Sequence, residues 1–190
     1  MRDTEFVASL AAARIGETFN FYRDGDGAGL RLERLAAYLA GRRRARLLLV
    51  GEAAGYRGAR VSGVPFTSER QLTGSGPAEA SATIVHRVLE ELGVEDDVLL
   101  WNLVPTHPHR PGNPHSNRSP TRVEISAGRR FVQELARGRR IIAVGRLAET
   151  ELGAPFVRHP SHGGGPEFRR GLLRVLGELG PERSSPSGGC

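Results

Sequence analysis

The stretch Arg46-Leu47-Leu48-Leu49-Val50-Gly51 decides the fold. Its apolar residues run without a polar break, between an arginine and a glycine. A segment with no polar face reads as a strand buried on both sides, which is the signature of a parallel sheet. Further candidate strands follow at Val98 to Asn102, Arg140 to Val144 and Ala154 to Val157. Helical periodicity fills the intervals, at Ala78 to Leu92, Arg122 to Arg137 and Arg146 to Leu152, and a last helix is expected over Glu167 to Leu179. Ahead of the first strand, Phe6, Val7, Leu10 and Ala13 mark a helix over Thr4 to Ile15. Leu30, Leu32, Leu35, Ala36 and Leu39 mark a second, amphipathic helix ending at Gly41. Strands alternating with helices imply an α/β protein, a three-layer α/β/α sandwich around a four-stranded, mainly parallel sheet. Ligands in such sheets bind beyond the carboxyl ends of the strands. That rule selects the segments after Val50, Leu100 and Val157.

Composition narrows what those segments can do. The chain has 190 residues, 38% of them hydrophobic, which is enough for one core and predicts a single domain over residues 1–180. The Ser-, Pro- and Gly-rich tail from Pro181 to Cys190 is expected to be disordered. No apolar run is long enough to span a bilayer, and the Met1-Arg2-Asp3-Thr4-Glu5 start lacks a signal-peptide pattern, so a cytoplasmic protein without membrane contact is expected. The net charge of +6 favours a polyanionic partner. All of the positive charge is arginine, a bias that a GC-rich bacterial genome explains, and with no lysine there is no side-chain amine for a Schiff base. The single cysteine, Cys190, excludes a disulfide framework and a four-thiolate cluster. The loop Asp24-Gly25-Asp26-Gly27-Ala28-Gly29 lacks the ligand spacing and terminal glutamate of an EF-hand.

The first strand end continues as Gly51-Glu52-Ala53-Ala54-Gly55-Tyr56-Arg57-Gly58, then reaches Val64-Pro65-Phe66-Thr67-Ser68-Glu69. Its glycines can present backbone N–H groups to an anion or a carbonyl. It is neither a P-loop nor a dinucleotide fingerprint, for it has neither Gly-Lys-Ser/Thr nor the Gly-x-Gly-x-x-Gly spacing. The second end carries Asn102, an amide that can offer one donor and one acceptor to a base edge or simply cap a loop. The third reads Arg158-His159-Pro160-Ser161-His162-Gly163-Gly164-Gly165, where a histidine leaves a strand into a tight turn.

Together these segments resemble the uracil-DNA glycosylase superfamily, over roughly Arg46 to Leu176, in a branch without an iron–sulfur cluster. The family has a first motif after its first core strand, an asparagine after the second and a His-Pro-Ser motif after the last, and all three stand here in order. The resemblance implies a monofunctional glycosylase that flips uracil out of DNA and hydrolyses its N-glycosidic bond, with no cofactor, no metal and no obligate protein partner. It implies that Phe66 stacks on the base, Asn102 reads the pyrimidine edge and His159 stabilises the leaving uracil anion. Reading uracil rather than cytosine would require a neighbour to lock the Asn102 amide. Backbone N–H groups around Glu52 to Ala54 would add donors to the base, so Glu52, Ala53 and Gly55 join the base-binding set. Ala53 stands where the best-known branch has an aspartate, which moves the search for a carboxylate to Glu69. Gly55 replaces that branch's tyrosine, while the neighbouring Tyr56 is open to either packing or base contact. Ser161, His162 and Gly163 would meet DNA, His162 as a wedge behind the flipped base, with Arg158, Arg169 and Arg170 on phosphates. The segment holding His107, His109, Asn113, His115 and Asn117 reads as a loop over the DNA groove rather than a metal site, because its spacing is irregular. Two other classes remain: a small-molecule nucleotide hydrolase, and an inactive binder of DNA lesions.

Overall fold

The computed structural model describes residues 3–178; the expected tail and the last residue of the final helix, Leu179, lie outside them. Helices α1 (Asp3–Ala12) and α2 (Ala28–Gly41) precede the first sheet strand, β2 (Leu47–Ala53), with the two-residue β1 (Thr18–Phe19) between them. Then come α3 (Ala59–Ser62), α4 (Glu69–Thr73), α5 (Ala80–Glu91), β3 (Val98–Val104) and β4 (His107–Pro108). The chain continues through α6 (Arg122–Leu135), β5 (Arg140–Val144), α7 (Arg146–Leu152), β6 (Phe156–Val157) and α8 (Gly165–Glu178). Strands β3, β2, β5 and β6 form a four-stranded sheet in that order, and every pairing is parallel. The expected α/β sandwich is therefore observed.

Period-two alternation sorts the core into two layers. Leu48, Val50, Leu99, Trp101, Leu103 and Ala143 face one way, onto Phe6 and Leu10 of α1, Leu35 and Leu39 of α2, Phe131 of α6 and Ala148 of α7. Leu47, Leu49, Val98, Leu100, Ile142 and Val144 face the other way, onto Val85 and Leu89 of α5 and Phe168 and Leu172 of α8. Trp101 anchors the first layer with no exposed surface and an edge-on contact to Phe6 at 5.5 Å. Burying a side chain of this class contributes roughly 1.5–3 kcal/mol. Helix α6 settles directly on β3 because Gly128 has no side chain; a Cβ there would strike the Leu103 carbonyl oxygen. Its start is fixed by a capping box of Thr121 and Glu124. Arg118 clamps the Glu124 carboxylate at 2.6 and 2.8 Å.

The differences from the sequence reading are local. Strands β2 and β3 each run two residues further than expected, and β6 is two residues shorter at its start. The expected loop after β2 is broken by two short helices, α3 and α4, the second capped by Ser68 and Gln71. The small antiparallel sheet of β1 and β4 has no periodicity signal, since each strand has only two residues.

Candidate active site

The carboxyl ends of all four parallel strands open into one cleft of about 480 Å³. Glu52, Ala53, Ala54 and Gly55 come from β2 and the turn after it, and Asn102 from β3. Val144 ends β5, Gly145 and Arg146 follow it, and His159, Ser161 and His162 follow β6. Phe66 enters from the segment before α4, Glu79 from the start of α5, and Asn117 and Arg118 from the loop before α6.

Phe66 and Asn102 approach each other across Gly51. A side chain on Gly51 would run into the Phe66 ring and lie 3.1 Å from Asn102 Oδ1. Glycine at the end of β2 is thus a packing requirement of the cleft floor. Phe66 is 8% exposed and adopts a left-handed backbone with φ of 52°. His162, on the opposite wall, also has φ of 52°, and these are the only non-glycine residues with positive φ among the described residues. Such conformations cost on the order of 1–3 kcal/mol for side-chain-bearing residues and concentrate at functional sites.

His159 faces Phe66 with ring centroids 6.3 Å apart and planes tilted by 38°. Its protonation is set locally. The Ser161 backbone N–H donates to Nδ1 at 3.1 Å, and the Ser161 hydroxyl lies 2.8 Å from the same atom. A nitrogen that accepts a backbone N–H carries no proton, so the ring is the neutral tautomer with its proton on Nε2. Burial, reinforced by repulsion from His162, holds its pKa below the ordinary histidine value. The result is a neutral N–H donor at the cleft wall. Asn102 is 4% exposed, and its amide has no hydrogen bond within the described residues.

The sequence matches the family model for the Uracil DNA glycosylase superfamily over residues 40–176. The chain belongs to the uracil DNA glycosylase superfamily. Members of this superfamily are DNA glycosylases and act on DNA. Among solved structures, the chain is similar to a crystal structure of wild-type SMUG2 from Pedobacter heparinus, with a TM-score of 0.68 and 12% identity. That match covers 94% of this chain and 98% of the other, and it speaks to the fold. No curated protein matches the chain in sequence. No described helix is long and apolar enough to cross a membrane.

Several expected site residues of this superfamily member sit elsewhere than the sequence suggested. Glu69 does not line the cleft. It opens α4, and both its oxygens are taken by Arg34 at 2.8 and 3.0 Å, bracing α4 against α2. The reason is capping: with Ser68 as the N-cap, Glu69 becomes the first helical residue and points away from the strand ends. The Ala54 N–H is not a free donor for a base, because it bonds the Val104 carbonyl at 3.3 Å. Among the described residues no hydrogen bond holds the Asn102 amide in one orientation. Arg169 is paired with Glu91 at 3.1 Å. Arg158 and Arg170 line a separate groove between β6 and α8, and Arg170 pairs there with Glu167. Gly163 is exposed with φ of 75° and open space around it.

The histidine-rich segment divides. His107 is fully buried, with Nδ1 bonded to the Ala54 carbonyl at 2.9 Å and a pKa lowered chiefly by burial, so it props the end of β2 from beneath. Asn117 lines the cleft and accepts the Tyr56 backbone N–H at 3.1 Å. Among the described residues no group of three or more His, Cys, Asp or Glu side chains is arranged to hold a metal ion. The sequence reading missed Gly145, Arg146 and Glu79. The strand-end rule itself points to the first two, since Val144 ends a parallel strand as clearly as Val50 does. Glu79 carries no local signal, because only the fold brings the start of α5 to the turn after β2.

Proposed function

We propose that the chain is a monofunctional uracil-DNA glycosylase, which flips uracil out of DNA and hydrolyses the C1′–N1 bond to leave an abasic site. The observation that carries this reading is the neutral His159 ring with its proton on Nε2, its centroid 6.3 Å from that of the Phe66 ring at the end of a parallel sheet. Breaking the glycosidic bond moves negative charge onto the base and positive charge onto the sugar. A preorganised donor at the base side, in a partly dry cleft, stabilises that charge without first having to lose a proton to the surroundings. Phe66 offers a face for the flipped base, and stacking of this kind contributes about 1–3 kcal/mol. Asn102 presents both a donor and an acceptor from the cleft floor. With no protein partner, its amide turns to suit the base it meets, so rejection of cytosine falls to the other groups around the base.

On the outer rim, Ser161, His162 and Gly163 meet the duplex, and His162 is the side chain that fills the vacated stack. Arg158 supplies phosphate contact, with Arg169 and Arg170 available on exchange of their carboxylate partners. The reading calls for no metal or cluster, and the absence of lysine leaves an abasic site as the end product rather than a nicked strand.

The test is release of free uracil from a uracil-containing oligonucleotide, in chelator, with strand breaks scored before and after alkali. Uracil release with breaks only after alkali supports the reading. DNA binding without base release would make the chain a lesion binder. Strand cleavage without alkali would remove the monofunctional assignment.

A further inference from the structure

With Glu69 committed to Arg34 and alanine at position 53, the cleft holds Glu52, already in the base-binding set, and one carboxylate that the sequence did not single out, Glu79. Glu79 stands out by its packing. Its side chain lies against the backbone of Gly55 and Gly58, so close that a Cβ on either glycine would collide with its carboxylate oxygens. The two glycines leave the space that this carboxylate fills, and a side chain on either would have to push it aside. The carboxylate has no hydrogen-bond or ion-pair partner within the described residues, yet its oxygens are not sealed from the cleft they line. A half-buried carboxylate left without a partner costs stability, so its place calls for a reason beyond packing.

Resting on the glycosylase reading above, the geometry points to Glu79 as a catalytic residue, the general base that takes the proton of the attacking water. In that step the C1′–N1 bond breaks and its electron pair leaves with the base. The water oxygen bonds C1′, and its proton passes to the Glu79 carboxylate. The base departs as an anion held by the His159 N–H, and a later proton from solvent neutralises it. Burial raises the Glu79 pKa above the ordinary carboxylate value. The charged and titratable groups of the cleft are Glu52, Arg118, Arg146, His159 and His162, with Arg57 in the adjoining turn and Arg60 in α3 after it. A raised pKa brings a carboxylate base nearer to neutrality, where proton transfer is more efficient. It also predicts that activity falls on the acid side at a higher pH than a surface carboxylate would give.

The experiment is single-turnover uracil release against pH for wild type, Glu79→Gln, Glu79→Asp and Glu52→Gln, with binding to an abasic-site oligonucleotide measured in parallel. Glu79→Gln is expected to lower the rate about 10²-fold, to keep binding to the abasic-site DNA, and to lose the acid limb. Glu79→Asp recovers part of the rate, and Glu52→Gln retains the limb. Glu79→Ala with added formate is a second arm, in which the small carboxylate restores part of the rate. A wild-type rate and an intact acid limb in Glu79→Gln would overturn this proposal alone and assign the limb to another group, His159 first. No uracil release by the wild type would overturn the glycosylase reading itself, and this proposal with it.

Discussion

The two ends of the same parallel sheet are built in opposite ways. At the amino end the charges are paired. Arg46 holds Asp97 with bonds of 2.6–3.0 Å, Arg42 pairs with Asp96 at 2.8 Å, and Arg139 reaches the carbonyls of Leu135, Ala45 and Arg43 at 2.7, 2.9 and 3.2 Å. At the carboxyl end polar groups are left without partners. Among the described residues the Asn102 amide and the Glu79 carboxylate make no hydrogen bond and His159 Nε2–H has no partner, and Phe66 and His162 hold left-handed backbones. Both ends share strands, register and core, so the fold alone does not account for the difference. The amino end is closed by ion pairs, and the carboxyl end keeps hydrogen-bonding capacity unused among the described residues, as the proposed function requires. Substitutions at the two ends should therefore separate rate from stability.

The largest expected effect is at the carboxyl end. His159→Ala removes the donor that we propose acts on the leaving base, and loss of such a donor lowers rate by about 10²–10³. Affinity for uracil-containing DNA should change far less, because the charge it meets develops only as the bond breaks. Stopped single-turnover base release together with equilibrium binding checks this. Equal losses in both would mean that His159 packs the turn instead of acting on the base.

Phe66→Ala comes next. Losing the stacking face forfeits about 1–3 kcal/mol, a drop of about 5- to 150-fold in single-turnover efficiency. Removing a wholly relaxed core phenylalanine costs about 3–5 kcal/mol of stability, but here relief of the left-handed backbone should offset part of that. Urea denaturation alongside the kinetics checks both. A large stability loss with an unchanged rate per folded molecule would make Phe66 an ordinary core residue.

How much of this was legible beforehand follows the same division. The sheet was readable because Leu47 to Val50 and Val98 to Trp101 are apolar on both faces, and the strand-end rule then led to Asn102 and His159. Phe66 was found through the motif it sits in, not through periodicity. Glu69 was misplaced for a physical reason: its sequence distance from Phe66 is short, but the Ser68 cap turns the chain into α4 and hands its carboxylate to Arg34. Glu79 could not be read at all. Its meeting with Gly55 and Gly58 is a tertiary contact made by the docking of α5, and a glutamate ahead of a helix looks like any solvated cap.

That misplacement gives a third, smaller prediction. Glu69→Gln should lower stability by about 1 kcal/mol, because a two-bond, partly buried arginine–carboxylate pair is at the upper end of what exposed pairs contribute. The rate of the folded protein should not change. A rate loss with unaltered stability would return Glu69 to the site, against its geometry.

The smallest effect belongs to the amino end. Asp97 accepts from the Arg46 side chain and backbone N–H, and these bonds, the side-chain one first, hold its carboxyl below the ordinary aspartate range. A depressed carboxylate pKa contributes stability that is present above the unfolded-state value, about 3.9, and that is lost as pH falls through the folded-state value. Arg46 is largely exposed, so solvent and salt reduce the contribution to less than about 1 kcal/mol. Asp97→Asn keeps an acceptor for the Arg46 N–H but removes the charge. It should therefore cost a few tenths of a kcal/mol near neutral pH, and the gap from wild type should close in acid, as pH falls through the lowered folded-state value and the wild-type carboxyl is protonated too. Urea midpoints at both pH values measure the gap, and uracil release at neutral pH should be the same for both proteins. A gap that persists in acid would mean that the amino end is held by shape and backbone hydrogen bonds rather than by charge. A change in base release would mean that the two ends of the sheet are coupled, and the separation of stability from function along these strands would fail.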